Sequence, residues 1–218
     1  MAARIFFMHI PKTGGMAYRQ TLAGEYQASE IFPVPFRPSM TLGEPEAYPV
    51  QYIEIGDIRV SRDVLAKYNL IMGHLDARWL AMLPDGFQPV TILRDPIDQF
   101  ASLYYYMQQS PDASAQALWR EVEPGGIEGW LEHPAMAWAA NQQSRYLSGM
   151  SDVPGVGDLS LALENAKQFN ILYQEDLRGK KVNVTNAKPK KLAPDLRQRI
   201  AEIQHVDMDL YHMLRNRG

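Results

Sequence analysis

The stretch FFMHIPKTGGMAY, residues 6–18, sets an apolar run, a lysine and two adjacent glycines directly ahead of a helical pattern. Gly14 and Gly15 permit positive φ and close approach of the backbone to a ligand. Successive N–H groups leading into a helix make a seat for an oxyanion, and Lys12 can place its ammonium on the same anion. The P-loop of nucleotide phosphotransferases carries its lysine after the glycines, as Gly-x-x-x-x-Gly-Lys-Ser/Thr. Here Lys12 comes before them, which argues against an ATP- and Mg²⁺-dependent kinase. Taken alone, Lys-Thr-Gly-Gly fits an ordinary strand-to-helix turn with a solvated lysine equally well. A second cluster, TILRDPIDQFASLYYY, puts Arg94 at the end of an apolar run and Ser102 two turns into the helix that follows. A guanidinium fork suits a phosphate. The bland alternative is a surface pair of Arg94 with Asp95 or Asp98.

The elements that must position these groups are legible from apolar periodicity. Residues 4–9, 69–74, 90–96 and 170–174 read as buried strands. Helices are expected over 15–24, 62–67, 97–109, 113–122, 126–134, 135–149 and 159–169, and from Pro194 almost to the end. DARWLAMLP reads as a short helix with Asp76 as N-cap. Residues 25–57 hold five prolines and no helical period, so an irregular insertion with one hairpin is expected there. Strands alternating with helices predict a single α/β domain over 1–218, with a central, mainly parallel sheet flanked by helices. In such a sheet ligands bind beyond the carboxyl ends of the strands. Lys12, His74 and Arg94 each fall at such an end.

Bulk properties restrict the function. The 218 residues are 46% hydrophobic and 22% charged, as in a globular protein, and the net charge of −3 gives no support for nucleic-acid binding. The absence of cysteine removes disulfides and thiolate metal sites. No apolar run approaches a membrane span, and the N-terminal stretch lacks a signal-peptide cleavage region; a cytoplasmic location is expected.

Two anion seats on neighbouring strand ends suggest one ligand with two separated phosphates. At this point the sequence resembles a known family. HIPKTGG followed by LRDPxxxFxSxYY is the signature pair of the carbohydrate sulfotransferases, closest to the heparan sulfate 6-O group and more weakly like the 2-O group. GHLDARWL is similar to that family's GxHADWTEL segment and NQQSRYLSG to its NxRQxRxL helix. LENAKQF before a strand and RIAEIQHVDMDLYHML also have counterparts, in the same order. The family's signal anchor, cysteines and several long loops are missing, as in a trimmed bacterial-type relative.

The resemblance implies a P-loop-like sulfotransferase fold and 3′-phosphoadenosine 5′-phosphosulfate as donor, with adenosine 3′,5′-bisphosphate as product. It implies no metal, no nucleic acid, and a hydroxyl acceptor on a saccharide, a lipid-linked glycan or a small alcohol. By this analogy Lys12, Thr13, Gly14, Gly15, Met16 and Ala17 hold the 5′-phosphosulfate and Arg94 and Ser102 the 3′-phosphate. Asn183, Thr185 and Lys188, in the basic loop KKVNVTNAKPKK, are candidates for closing over the nucleotide; a solvated charge run is the alternative. Asn141, Gln143 and Arg145 are expected on one helix. Asn141 and Arg145 share a face and are candidates for lining the acceptor cleft, or Arg145 makes a surface pair. Residues 25–57 and 107–135 are expected to build the acceptor side.

Transfer of a sulfuryl group needs a base for the acceptor hydroxyl and a cation for the leaving phosphate. His is the usual base near neutral pH. Of His9, His74, His133, His205 and His212, His74 is the candidate base, and the family's base lies in the corresponding segment. His9 is the runner-up, expected beneath the loop. Lys12 is the candidate for the leaving group. Met16 stands where the family usually has Thr or Ser, and Gln99 where Arg is frequent, so one hydroxyl contact to the donor is lost. The alternatives are a P-loop-like phosphotransferase and a catalytically silent nucleotide- or glycan-binding protein.

Overall fold

A computed structural model describes residues 3–33, 40–42, 52–55, 58–177 and 192–216. In chain order the first half contains β1 (Arg4–Met8), α1 (Gly15–Ala23), β2 (Ile31–Pro33), β3 (Met40–Leu42), β4 (Tyr52–Ile55), β5 (Ile58–Ser61), α2 (Arg62–Leu65), β6 (Leu70–Gly73) and β7 (Phe87–Leu93). The second half contains α3 (Pro96–Gln109), α4 (Ala113–Val122), α5 (Gly126–Glu132), α6 (Gln142–Ser148), α7 (Leu159–Ala166), β8 (Asn170–Tyr173), α8 (Pro194–Ile203) and α9 (His205–Arg215). The central sheet runs in the order β2-β6-β1-β7-β8, and every pair in it is parallel. This is the expected α/β architecture. Strands β3, β4 and β5 make a separate antiparallel sheet.

The place of β1 at the centre follows from its side chains. Phe6 and Met8 are buried on one face with Ile71, Leu93 and Trp79, while Phe7 is buried on the other with Leu22, Met72 and Ile92. A strand that is apolar on both faces has to be covered by helices on both. Each such side chain, fully buried, stabilises the fold by roughly 1.5–3 kcal/mol. A third cluster, around Phe100, Tyr104, Trp130 and Ile200, joins α3, α5 and α8.

Three expectations need correction. Residues 25–57, expected as an irregular insertion with one hairpin, also contribute β2, which pairs with β6 at the edge of the central sheet. Residues 135–149 are not one helix. A 3-10 segment, Pro134–Trp138, gives way to Asn141 in the left-handed region (φ 51°), and α6 starts only at Gln142. The C-terminal helix is two, broken at Gln204, whose side chain is buried and bonds across to the Asn141 N–H and the Ala139 carbonyl. The two breaks face each other, so each supplies hydrogen bonds that the other's lost helical ladder leaves open.

Candidate active site

Because β6, β1 and β7 are adjacent and parallel, their carboxyl ends emerge side by side. The chain leaves β1 into residues 9–14, β6 into His74 and β7 into Arg94. Lys12 itself sits at φ 64°, in the left-handed region. The Arg94 Nη1 donates to the Lys12 carbonyl at 3.1 Å, so the two expected anion seats touch.

The loop after β1 is shaped by sterics. Gly14 has φ 87°, and a Cβ on it would come within 2.7 Å of Gln174 Cγ. A Cβ on Gly15 would meet His9 Nε2 at 2.8 Å and Phe7 at 3.1 Å. Thr13 is fully buried and its hydroxyl donates to the Ile10 carbonyl at 2.9 Å, which ties the loop to itself. The side-chain amide of Gln99, on α3, donates to the Pro11 carbonyl at 2.8 Å. Helices α2, α3, α4 and α7 each begin with a Ser or Asp side chain accepting a first-turn N–H. Helix α1, with Gly14 as its N-cap, has no side-chain cap, as is also true of α5, α6, α8 and α9. What sets α1 apart is that its first-turn N–H groups, of the kind that can bind an anion, follow directly on the loop beyond β1. Met16 is exposed and Ala17 half-buried on that turn.

The two histidines separate into different environments. The His9 ring is 3% exposed and lies stacked between Phe7 (5.7 Å) and His74 (4.7 Å). Burial first, then the neighbouring His74, Arg19 and Lys12 charges, push its pKa down to about 3, so the ring is neutral. His74 is half-buried, and its Nδ1 lies 2.8 Å from the His9 carbonyl. A carbonyl only accepts, so Nδ1 carries the hydrogen and the lone pair of the neutral ring is on Nε2. The expectation that His9 lies beneath the loop is met.

Lys12 places its ammonium 4.1 Å from the Tyr106 ring centre. Burial, with Arg94 as a second cause, lowers its pKa to about 8, so at neutral pH it remains mostly charged. Tyr106, the last of a run of three tyrosines, is half-buried under that ammonium, while Tyr104 is in the core. Ser102 is half-buried on α3. Asn183, Thr185 and Lys188 lie outside the described residues.

Asn141 and Arg145 are a correction. They do not share a helical face, since Asn141 precedes α6 in a left-handed conformation. Arg145 is 2% exposed and its guanidinium donates to the carbonyls of Trp138 (3.0 Å) and Ser151 (2.6 Å). Asn141, equally buried, donates to the Gly155 carbonyl and accepts from the Asp207 N–H. Both side chains knit backbone together.

No family model and no curated protein matches the chain. Among solved structures it is similar to mouse sulfotransferase SULT7A1 complexed with PAP, at 16% identity and a TM-score of 0.35, over 92% of this chain and 82% of that one. No helix among the described residues is long and apolar enough to cross a membrane.

Proposed function

We propose that this chain is a sulfotransferase that moves a sulfuryl group from 3′-phosphoadenosine 5′-phosphosulfate to an acceptor hydroxyl, on a saccharide. The observation that carries the reading is the meeting of Lys12, His74 and Arg94 at the carboxyl ends of three neighbouring parallel strands, beside a helix that starts without a cap. The order of the family's motifs along the sequence supports it. The fit to a doubly phosphorylated nucleotide rests on two features. The missing Cβ atoms at Gly14 and Gly15 let Gln174 and His9 pack against the loop and fix its path, and two cations from different strands share one edge.

When bound, the donor supplies a sulfuryl group made electrophilic by its 5′-phosphate. His74 Nε2 takes the proton of the acceptor hydroxyl as its oxygen bonds to sulfur. Lys12 holds positive charge where the bridging oxygen becomes negative as its bond to sulfur breaks, a contribution realised mainly in the transition state. The N–H groups of Gly15, Met16 and Ala17 bind the 5′-phosphate; Arg94, with Ser102, binds the 3′-phosphate. Buried His9 stacks on His74 and fixes its tautomer through its own carbonyl.

Calorimetry with adenosine 3′,5′-bisphosphate, ADP and ATP tests the reading. Preference for the bisphosphate is expected; preference for ATP with Mg²⁺ would replace it with the phosphotransferase reading. An acceptor screen with radiolabelled donor then separates an enzyme from a silent binding protein.

A further inference from the structure

Arg94 lies one residue beyond the end of β7. On one side the ladder with β1 ends at Thr91, and on the other the ladder with β8 ends at Leu93. Past that point the backbone N–H and C=O of Arg94 have lost their strand neighbours. The Gln143 side chain takes both places. Its Oε1 accepts the Arg94 N–H at 3.0 Å, and its Nε2 donates to the Arg94 carbonyl at 2.9 Å. A primary amide has one acceptor and one donor group side by side, so it reproduces the edge of a peptide. Gln143 extends the sheet by one residue.

Gln143 is in turn held. It is 1% exposed, and its own N–H donates to Asp207 Oδ2 at 2.8 Å, while the Ser144 N–H donates to Oδ1 at 2.7 Å. Asp207 is wholly buried on α9. On the far side, the Glu175 carboxylate accepts the Asp95 N–H at 3.2 Å. The backbone at 94–95 is thus gripped from α6 and from the chain beyond β8. An arginine side chain is a long lever, and a swing of roughly 10° at its Cα carries the guanidinium by about 1 Å, beyond the tolerance of a preorganised site.

We infer that Gln143 is a positioning residue that sets the specificity of this site for a nucleotide 3′-phosphate, by fixing the backbone from which Arg94 reaches it. The inference rests on the nucleotide reading above. Asp207 acts one step further back, by fixing Gln143.

The test measures affinity for adenosine 3′,5′-bisphosphate and for adenosine 5′-monophosphate, by calorimetry, in wild type, Gln143→Met and Asp207→Asn. Wild type is expected to prefer the bisphosphate; if it does not, the nucleotide reading itself falls. Given that preference, Gln143→Met should weaken the bisphosphate by about tenfold, the scale of two backbone hydrogen bonds, and leave the monophosphate unchanged. Asp207→Asn should move the same ratio in the same direction by less, because the amide still accepts one of the two N–H groups. A purely structural role would weaken both nucleotides together, or neither, and either result overturns the inference. Should Gln143→Met not fold, Asp207→Asn decides by the same ratio: unchanged preference sinks the idea.

Discussion

The turns that follow β1 and β7 differ in how much of their shape is made locally. The first takes its shape largely from residues close in sequence, with Gln99, Arg94 and Gln174 bracing it from outside. Gly14 and Gly15 admit neighbours where a Cβ would stand, Thr13 bonds back to Ile10, and the His9 ring fills the space beneath. The second is shaped from outside. Arg94 is held by a side-chain amide 49 residues away on α6, and the backbone N–H of that glutamine by a carboxylate 64 residues further on. Locally made loops are sensitive to added atoms; remotely made ones are sensitive to removed hydrogen bonds. An anion site that combines them can lose one seat and keep the other.

The largest effects are expected at His74 and Lys12, the proposed base and leaving-group cation. His74→Ala should lower turnover by about 10²–10⁴-fold, the usual worth of a general base, with adenosine 3′,5′-bisphosphate binding retained. Lys12→Ala should lower turnover by about 10²–10³-fold, as for other preorganised charge. A near-wild-type rate for His74→Ala in the radiolabel assay would remove it as the base.

Next comes the steric test of the first turn. Gly15→Ala pushes a methyl into the His9 ring and should cost about 1–3 kcal/mol in chemical denaturation. It should also disturb the 5′-phosphate seat while the preference conferred by Arg94 survives. Loss of both together would show that the two turns are not separable.

A pH comparison follows. His9 is neutral in the fold down to about pH 3, whereas in the unfolded chain it takes a proton near 6.5. The unfolded state therefore binds more protons between these values, and this group costs the fold about 1.4 kcal/mol for each unit that pH falls within that window. Asp207 acts in the opposite sense. Burial raises its pKa to about 6, so between its ordinary value and 6 the fold binds more protons, and its contribution is lost as pH rises. Relative to wild type, His9→Gln should make stability fall with rising pH between 4 and 6, and Asp207→Asn should make it rise. Identical pH curves for all three proteins would refute both assignments.

The smallest effect is expected at Gln99. Gln99→Leu removes its bond to the Pro11 carbonyl and should cost about 1 kcal/mol, with a modest rise in the KM for donor. Gln99 occupies the position where the resembling family frequently has arginine, and in this chain its amide braces the loop.

What could be read from sequence follows the same division. The β1 loop, the strand-end positions of His74 and Arg94, and the Asp76 cap were legible, because each depends on residues within a few positions of one another. A buried parallel sheet writes itself as short apolar runs. The break at Asn141 was not legible, since NQQSRYLSG continues a helical pattern and only the contact with Gln204 and Asp207 makes the left-handed turn favourable. For the same reason Asn141 and Arg145 looked like two residues of one helical face. The role of Tyr106 was hidden too: in a run of three tyrosines, the one beneath Lys12 is distinguished only by how α3 rotates against the loop.

The central position of β1 also bears on how the chain reaches its native state. Phe7 pairs with Met72 on one side and Val90 on the other, so a strand apolar on both faces has its two neighbours more than sixty residues downstream. Contacts of such sequence separation form slowly, and the unpaired segment is sticky in the meantime. During synthesis the ribosome must deliver β7 before this strand can be sheltered. Soluble yield should therefore respond to lower growth temperature and to chaperones that shield nascent chains.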